Sequence, residues 1–469
     1  MKHYKNQTKN HKTLKIVSFS LLGVIILGLA AFGGVYAYTI NYRPEAPKDT
    51  SEKKSDLFFT ENTGLYDKDG KLFTIRGINA GNYFLQEGWI SPFALEPLTN
   101  EDGTYVKDKD GNIQYPEFSQ EDFLNGLLEN PNCGEENIDE WLDYYYDAWW
   151  NENDFKIIKD VGFNTIRLPF YWRNILNDDF SRKSEEVAFE YLDWFIENCK
   201  NNGLYVILDL HGAPGSQNGY EHSGNNNKNP ELWSNVEYMD ATNDLWDYVS
   251  THYNDTRKDL SYYIIAYDLL NEPTETYGSR TTKVCHDFFD RLYDTIRENG
   301  DNHVISMEGC WDFSVLPNPD KYGWENVIYQ YHIYNWYTDI LPYNLLWAYY
   351  QLTNFGKQYK VPVLIGEFTF FNNEKEWSEG LKYFDDMHYG WTIWTYKATV
   401  TGWWDTSWGL YTVKLNLDTS KEELKCNVKT CTFEEFKSTC DETRTENCES
   451  EFLMNTMNKY FNGEEETEE

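Results

Sequence analysis

The stretch Tyr263–Asn271, which reads YIIAYDLLN, indicates the fold of this chain. It is a short apolar run rich in β-branched and aromatic residues, and it ends in a polar residue, which is typical of a buried strand in a parallel sheet. Longer helical stretches separate it from seven similar runs. These are Phe73–Asn79, Thr165–Pro169, Tyr205–His211, Val304–Glu308, Val327–His332, Val363–Glu367 and Thr392–Tyr396.

Eight strands that alternate with helices predict an α/β fold in which a parallel sheet closes into a (β/α)8 TIM barrel. The alternative is a doubly wound open sheet. That sheet would need a glycine-rich phosphate turn or a switch-point ligand, and no GxGxxG follows any of the runs. The length of 469 residues suits one barrel with appendages. We expect the barrel domain at residues 57–463, with an insertion at residues 93–151.

The N-terminal region has the pattern of a membrane anchor. Residues 1–15 carry five lysines and no acidic residue, and residues 16–40 carry no charge. At about 1.5 Å per residue this uncharged stretch can cross a bilayer core of about 30 Å, with its basic flank in the cytoplasm. We predict a cytoplasmic tail (1–15), a single-pass type II transmembrane helix (16–40) in the cell membrane, a linker (41–56) and an extracytoplasmic remainder. A cleaved signal peptide, which would make the protein secreted, is the alternative.

Charge and cysteine content fit an exported domain. The formal net charge of −36 repels phosphate backbones, so we expect no nucleic-acid partner. Half of the cysteines fall in a Cys-rich segment at residues 424–450, which predicts two disulfides; a zinc site is the weaker alternative, because no CxxC pair or nearby histidine supports it. These four are Cys426, Cys431, Cys440 and Cys448. Buried thiols are expected at Cys133, Cys199, Cys285 and Cys310, and residues 464–469 form an acidic tail.

Polar side chains end most of the eight runs, and reactive groups of a TIM barrel lie where its strands end. The candidates are Arg167, Asp209, His211, Asn271, Glu272, Glu308, His332, Tyr334, Glu367 and the stretch Trp394–Lys397. Hydrolysis of a glycosidic bond needs one protonated and one ionised carboxyl group across the scissile bond. Glu272 and Glu367 end the fourth and seventh runs, which a closed barrel can bring face to face. A strand end with a capping Asn271, and a buried ion pair, are the structural alternatives.

Together these motifs resemble glycoside hydrolase family 5, over about residues 65–415. The two carboxylate motifs are Asn271-Glu272-Pro273 and Ile365-Gly366-Glu367-Phe368. The motifs that agree in order are Arg76–Asn79, Asn164–Pro169, Leu208–His211, His332–Tyr334 and Trp394. As a set they are specific, whereas an isolated NEP sequence would be weak.

The resemblance implies a retaining double displacement in which Glu272 is the general acid/base and Glu367 is the nucleophile. Asn271 would hold the sugar 2-hydroxyl, while Arg167 and Tyr334 would keep Glu367 ionised and aimed. Burial near a second negative charge would raise the pKa of the acid. Sugar binding before the cleavage point is implied for His211, His332 and the stacking Trp394.

Two further stretches resemble exo-β-1,3-glucanases of this family. They are Leu208–Gly219, LDLHGAPGSQNG, and Leu85–Pro92, LQEGWISP. In that group the glutamate matching Glu87 contacts the terminal glucose, which favours exo cleavage. Glu221 and His222 stand where those glucanases usually carry Asp-Asn, and this departure leaves the substrate linkage open.

The sequence therefore predicts an exo-β-1,3-glucanase that acts on a β-linked glucan as a monomer, with no cofactor and no metal. Other substrates are open: β-1,6-glucan, β-1,4-glucan or a glycolipid, with transfer to a second sugar as an alternative to hydrolysis. A catalytically silent glycan-binding barrel would be expected to lack a carboxylate. A metal-dependent hydrolase is disfavoured because His211 and His332 occur without HxH or HExxH spacing. Glu308 is a weaker candidate for the nucleophile than Glu367.

Overall fold

The computed structural model describes residues 43–50, 55–109, 111–278, 282–309, 316–334, 359–399, 408–415, 424–450 and 452–463. Eight parallel strands form a closed barrel in which chain neighbours are also spatial neighbours. Each predicted run supplies one strand, so the (β/α)8 prediction is confirmed. The strands are Arg76–Asn79, Thr165–Tyr171, Tyr205–Gly212, Ile264–Asp268, Val304–Glu308, Val327–Tyr334, Val363–Thr369 and Gly390–Ile393.

The fourth barrel strand ends earlier than its apolar run suggests. It stops at Asp268, and Leu269, Leu270 and Asn271 continue as buried loop rather than sheet. Apolar composition alone could not mark this boundary, because the loop residues are buried as deeply as the strand.

Helices surround the barrel and pack their apolar faces on it. They are Gln120–Glu129, Gly134–Trp149, Glu152–Val161, Trp172–Ile175, Glu185–Asn202, Val236–Thr251, Lys258–Ser261, Lys283–Glu298, Glu374–Met387, Phe433–Glu442 and Phe452–Asn462. Helix Lys283–Glu298 illustrates the pattern, because Cys285, Phe289, Leu292 and Ile296 recur every three or four residues and are all buried. Capping boxes at Ser119 and Asn151 fix two helix starts.

The barrel interior is apolar at one end and polar at the other. A hairpin of strands Phe59–Glu61 and Gly64–Tyr66 lies at the end where the barrel strands begin. Leu65 of this hairpin and the preceding Phe58 pack on an interior layer that includes Ile207, Ile265 and Leu364. Buried polar side chains fill the layer at the opposite end: Asn79, Arg167, Asp209, Asp268, Glu308, Gln330 and Glu367. The functional site therefore lies at the carboxyl ends of the strands.

The insertion and the Cys-rich segment pack on each other beside this end. Strand Phe93–Ala94 pairs in parallel with strand Cys426–Asn427. The ring of Phe436 stacks on Phe93 at 4.9 Å and lies 4.8 Å from Trp141, between ring centroids. A third short pair joins Lys397–Thr399 to Tyr411–Val413. These contacts brace the loop after the first barrel strand, which carries Glu87.

The prediction of two disulfides is not supported, because all seven described cysteines are free thiols. Cys426 and Cys431 are in side-chain contact as free thiols, while Cys448 Sγ donates to Arg444 O at 3.3 Å. The expected burial of Cys133, Cys199 and Cys285 is confirmed, and the eighth cysteine, at 310, lies outside the described residues.

The predicted anchor at 16–40, the tail at 1–15 and the acidic tail at 464–469 lie outside the described residues. Within the described ranges, none of the helices combines the length and the apolar character that a bilayer crossing requires.

Candidate active site

A pocket of about 620 Å³ opens at the carboxyl ends of the barrel strands. Eight of the nine residues to which the family resemblance gives a role line it, and the ninth, Arg167, is buried beneath them. The lining consists of Glu87, Trp89, His211, Tyr220, Glu221, His222, Asn271, Glu272, His332, Tyr334, Glu367, Trp394 and Trp408.

Arg167 is the centre of the polar layer under the pocket. Its Nη1 lies 2.8 Å from Glu367 Oε1 and 3.0 Å from Asn79 Oδ1. Its Nη2 lies 2.8 Å from Asn271 Oδ1 and 3.0 Å from Asp209 Oδ2. Its Nε lies 2.9 Å from Asp268 Oδ2. Burial opposes the charge of this guanidinium, but the neighbouring carboxylates, led by Asp209, raise the pKa of Arg167. A permanent cation therefore orients both Asn271 and Glu367.

Two aspartates that share this cation have raised pKa values. Burial raises the pKa of Asp209 to about 7 and that of Asp268 to about 6, although Arg167 opposes both shifts. Asp209 Oδ2 also accepts a hydrogen bond from His211 Nδ1 at 2.6 Å. Burial lowers the pKa of His211 to about 3, so its ring is neutral near pH 7. Its Nε2, 3.9 Å from Glu87 Oε1, is left as an acceptor.

Glu367 stands at an irregularity of the seventh strand, whose register against the sixth shifts between Ile365 and Glu367. Such a shift re-aims a side chain. Its Oε1 accepts from Arg167, and its Oε2 accepts from the Tyr334 hydroxyl at 2.7 Å. His332 Nδ1 lies 3.3 Å from the same Oε2. Donors from the second and sixth strands thus hold the carboxylate by both oxygens.

Glu272 has a left-handed backbone, with φ 46°, which is costly for a residue with a side chain. Two buried groups hold this backbone in place. Glu308 Oε2 accepts from the Glu272 N–H at 2.6 Å, and Asn218 Nδ2 donates to the Glu272 carbonyl at 3.2 Å. The strained turn lifts the carboxyl group out of the sheet and into the pocket.

Two histidines contact the Glu272 carboxyl group. His332 Nδ1 lies 2.7 Å from Oε1, and His222 Nε2 lies 2.9 Å from Oε2. Burial alone would raise the pKa of Glu272, but His222 and then His332 together hold it well below its usual range. The expectation of a raised pKa at Glu272 was therefore wrong for the pocket without substrate. Burial by itself favours the neutral acid, and the two imidazoles outweigh it.

Glu308 is fully buried at the end of the fifth strand and does not line the pocket. Burial and the charges of Glu272 and Asp268 raise its pKa well above the usual range, which favours the protonated form. A carboxyl group buried under the pocket floor does not reach a substrate in the pocket, and its contact with the Glu272 N–H is a positioning contact.

The spacing of Glu272 and Glu367 follows from their shared neighbour. The contacts of 2.7 Å and 3.3 Å meet at one nitrogen, His332 Nδ1, so the two contacted oxygens are at most about 6 Å apart. Inverting glycosidases keep their carboxyl groups roughly 6.5–9.5 Å apart, and retaining glycosidases about 5–5.5 Å apart.

Aromatic rings form one wall of the pocket. The Trp394 ring stacks on His211 with centroids 5.4 Å apart, and Trp89 meets Trp408 edge to face at 4.5 Å. Trp89 Nε1 donates to Glu87 Oε2 at 2.6 Å. Burial raises the pKa of Glu87 to about 8, so its carboxyl group is protonated near neutral pH and can also donate.

One cluster in the described part of the chain has the donor spacing of a metal site. Glu272, Glu308 and His332 present ligand atoms within 4.8 Å of one another. His332 Nδ1 already bonds to Glu272 Oε1, however, and Glu308 Oε2 already accepts from the Glu272 N–H. The donor set is therefore that of a hydrogen-bond network rather than a ligand shell.

Five lining residues were not predicted as site residues: Trp89, Tyr220, Glu221, His222 and Trp408. Trp89 lies within the motif that contains Glu87, and Tyr220–His222 directly follow the Leu208–Gly219 loop motif, so both signals were present. Trp408 comes from a tryptophan-rich loop whose earlier residues, 403 and 404, lie outside the described ranges. Nothing in the sequence distinguished it from a packing residue.

Comparisons with known proteins identify the family of this chain. The family model described as cellulase (glycosyl hydrolase family 5) matches residues 130–399. A "Beta-xylosidase" of Phanerodontia chrysosporium is 31% identical over 255 residues, which cover 50% of this chain and 51% of that protein. A "Glucan 1,3-beta-glucosidase" of Pichia angusta is 28% identical over 331 residues, which cover 68% of this chain and 63% of that one.

The chain thus spans between half and two thirds of the length of these curated relatives. Among solved structures, a rutinosidase from Aspergillus niger has a TM-score of 0.52 at 17% identity, covering 72% of this chain and 95% of that one. That likeness supports the barrel fold. Because the family model covers more than half of the sequence, the chain belongs to glycosyl hydrolase family 5.

Proposed function

We propose that this protein is a retaining, exo-acting β-glucosidase of β-1,3-glucan. The observation that carries the proposal is the spacing of Glu272 and Glu367, at most about 6 Å between contacted oxygens, which is shorter than the roughly 6.5–9.5 Å typical of inverting glycosidases. Several curated relatives are named glucan 1,3-beta-glucosidase, which supports the substrate class.

The mechanism assigns one step to each carboxylate. In the first half, Glu367 attacks the anomeric carbon while a proton from Glu272 reaches the departing oxygen. In the second half, ionised Glu272 takes a proton from water, and that water displaces Glu367 from the sugar. The Arg167 and Tyr334 donors point Glu367 at the carbon, since they fix its two oxygens.

Asn271 is placed to donate a hydrogen bond to the sugar in the transition state. Its Oδ1 accepts from Arg167 Nη2, which leaves the amide nitrogen for the pocket. Among the described residues, this buried Nδ2 has no hydrogen-bond partner. A 2-hydroxyl at this position would give it an acceptor, and such contacts strengthen as the oxocarbenium character of the ring grows.

Exo action is supported by the cluster of polar groups that faces Trp394. A protonated Glu87, held by Trp89, lies 3.9 Å from His211 Nε2. A terminal sugar has hydroxyl groups that this donor and acceptor set can pair, while its face stacks on Trp394. An internal sugar lacks one of those free hydroxyl groups, so the set favours chain ends.

We also propose that residues 16–40 anchor the protein in the cell membrane with the barrel outside. The charge-free stretch behind a lysine-rich flank supports this. Protease added to intact cells should degrade the barrel but spare an epitope tag placed at the N-terminus. Release of the protein into the medium would favour the cleaved alternative.

The activity test uses the full chain in detergent with laminarin, pustulan, a β-1,4-glucan and an aryl β-glucoside. We expect glucose from the non-reducing end of laminarin, with the β-anomer detected first by NMR. Glu367→Gln should abolish this release, and Glu379→Gln, an exposed helix residue, is the matched control that should retain it. An α-anomer as first product would contradict the retaining mechanism. Cleavage of another substrate, but not of laminarin, would contradict the assignment of the β-1,3 linkage. A folded chain that cleaves nothing would favour the glycan-binding alternative.

A further inference from the structure

The inference concerns His222, which rests against the residue proposed as the acid/base. His222 belongs to a short 3-10 turn, Glu221–Ser223, that ends at Gly224 with a left-handed φ of 85°. The turn follows directly from the loop after the third barrel strand. It directs His222 Nε2 to 2.9 Å from Glu272 Oε2, on the pocket side of the carboxyl group.

Stacking against the face of the His222 ring holds the ring in this orientation. It stacks on Tyr220, with centroids 5.3 Å apart and planes inclined by 10°, and Tyr220 in turn stacks on Tyr277 at 4.4 Å. Stacking restrains the ring plane but leaves its edge, and therefore Nε2, directed at Glu272. The contact is a built feature of the loop rather than a surface ion pair.

Asn218 offers hydrogen bonds that suit a proton on His222 and also a proton on Glu272. Its Oδ1 accepts from the Tyr220 N–H at 2.9 Å, which identifies the end that faces His222 as the amide nitrogen. That nitrogen lies 3.1 Å from His222 Nε2 and 3.2 Å from the Glu272 carbonyl oxygen.

The two proton positions therefore use different hydrogen bonds. When Nε2 carries the proton, it donates to Glu272 Oε2, and the Asn218 amide donates to the Glu272 carbonyl. When the proton is on Glu272, Nε2 becomes an acceptor within reach of the same amide. Each position of the proton therefore gives Nε2 a hydrogen-bond partner.

The surrounding charges favour the proton on the histidine while the pocket is empty. Despite burial, the carboxylates of Glu272, Glu221 and Glu87 raise the pKa of His222 to about 10. The titratable groups that face the pair come from every neighbouring element. They are Glu87 after the first strand, Asp209 and His211 on the third, Glu221 on the same turn, Glu308 on the fifth, His332 and Tyr334 on the sixth, and Glu367 on the seventh.

We propose that His222 is a positioning residue that stores the proton of Glu272 between catalytic cycles. This deepens the proposed function and rests on it. In the first half-reaction the proton moves from His222 Nε2 to Glu272, and then to the leaving oxygen as its bond to the anomeric carbon breaks and the bond to Glu367 forms. In the second half, Glu272 takes a proton from the attacking water and returns it to His222, so the pair ends as it began.

With a proton stored on His222, the pKa of His222 sets the pH above which the acid step fails. The pair keeps one proton until the pH passes the raised pKa of His222, and the pair can place that proton on Glu272 when substrate binds. Asparagine, which the resembling glucanases usually carry at this position, cannot supply a proton. The variant His222→Asn would leave Glu272 to titrate alone, at a lower pH than the pair.

The first test reads the proton directly and needs no activity. The chain has nine histidines, so the ¹⁵N spectra of their imidazoles can be resolved, and the signal missing in His222→Asn assigns His222. We expect His222 to remain an imidazolium into the alkaline range. Glu272→Gln should lower its midpoint by at least about one pH unit, a tenfold change in acidity. Equal midpoints in the wild type and in Glu272→Gln would overturn the proposal.

The second test measures kcat/KM against pH with two β-glucosides, one with an alkyl and one with a nitrophenyl leaving group. For the alkyl glucoside, His222→Asn and His222→Gln should move the alkaline limb down by at least about one unit. The nitrophenyl substrate, whose leaving group needs little protonation, should change by less than about threefold. His388→Asn, a helix C-cap where asparagine also suits the left-handed φ of 58°, is the control.

The outcomes separate the two proposals. An unshifted alkaline limb in both variants would contradict proton storage while leaving the glycosidase intact. Loss with both substrates in equal measure would also contradict it, because a merely structural role predicts that result. If the wild type cleaves neither glucoside, the proposed function fails, and the imidazole spectra still decide whether His222 shares a proton with Glu272.

Discussion

Glu272 and Glu367 face the same pocket, but different kinds of group hold them. Arg167 and Tyr334 hold Glu367, and neither of these changes charge near neutral pH, since the pKa of each is raised further by its surroundings. Two histidines hold Glu272, and an imidazole, unlike a guanidinium, can give a proton to a carboxylate and take it back. A nucleophile needs one constant charge state, whereas an acid/base must alternate between two. The difference in neighbours matches that difference in task.

The largest expected effect comes from removing each carboxylate in turn and supplying azide. Glu367→Ala should lose at least about 10⁴-fold in kcat, because no covalent intermediate can form. Glu272→Ala should lose about 10²–10⁴-fold with alkyl glucosides. Azide should rescue Glu272→Ala as the β-glucosyl azide, and any rescue of Glu367→Ala should give the α-azide. NMR of the products makes the distinction, and exchanged stereochemistry would reverse the two assignments.

A smaller effect is expected at Tyr334, which tests the constant environment of Glu367. Tyr334→Phe removes the 2.7 Å hydrogen bond to Oε2 and keeps the ring. We expect kcat to fall by about 10- to 150-fold, since a hydrogen bond to a charged group contributes about 1.5–3 kcal/mol. Tyr329→Phe, on the same strand but outside the pocket, is the matched control. Equal losses in the two variants would mean that the hydroxyl does not orient Glu367.

Glu87 gives a prediction on stability against pH. Its pKa rises from 4.5 to about 8 on burial, so the folded state binds a proton that the unfolded chain releases above about 4.5. Stability due to this group is therefore full below the unfolded value and falls as pH rises from there toward about 8. Glu87→Gln removes this dependence.

The difference in Tm between Glu87→Gln and the wild type should therefore grow in favour of the variant across that pH range. Glu96→Gln, at an exposed carboxylate on the neighbouring loop, is the control and should show no such trend. A constant difference between Glu87→Gln and the wild type would mean that Glu87 is ionised in the folded protein.

The smallest effect is expected from Glu308→Gln, since an amide has nearly the shape of the neutral acid and keeps an acceptor for the Glu272 N–H. Activity should stay within about threefold of the wild type. Glu308→Ala leaves that buried N–H without an acceptor and should cost about 1–3 kcal/mol in the free energy of unfolding. Denaturant titration compares the two variants, and similar losses would indicate that Glu308 acts as an anion.

The eight barrel strands could be predicted because each is a local pattern, an apolar run that ends in a polar residue. The pairing of Glu272 with Glu367 also followed, since the carboxyl ends of barrel strands must meet at one rim. Tail, anchor and linker stay predictions from charge and hydropathy. The two predicted disulfides were not supported, because spacing in sequence does not specify the geometry or the partners of a thiol.

Sequence by itself determined the fold and the family resemblance and led to the prediction of the two catalytic carboxylates, because these depend on residue type at strand ends. Only the tertiary structure decided the direction of the pKa shifts. The pKa of Glu272 falls because His222, fifty residues earlier, and His332, sixty residues later, contact its two oxygens. The pKa of Glu308 rises because it is buried beside Glu272 and Asp268, which come from a different loop and strand. Electrostatic interactions depend on distance and burial, and neither can be read along the chain.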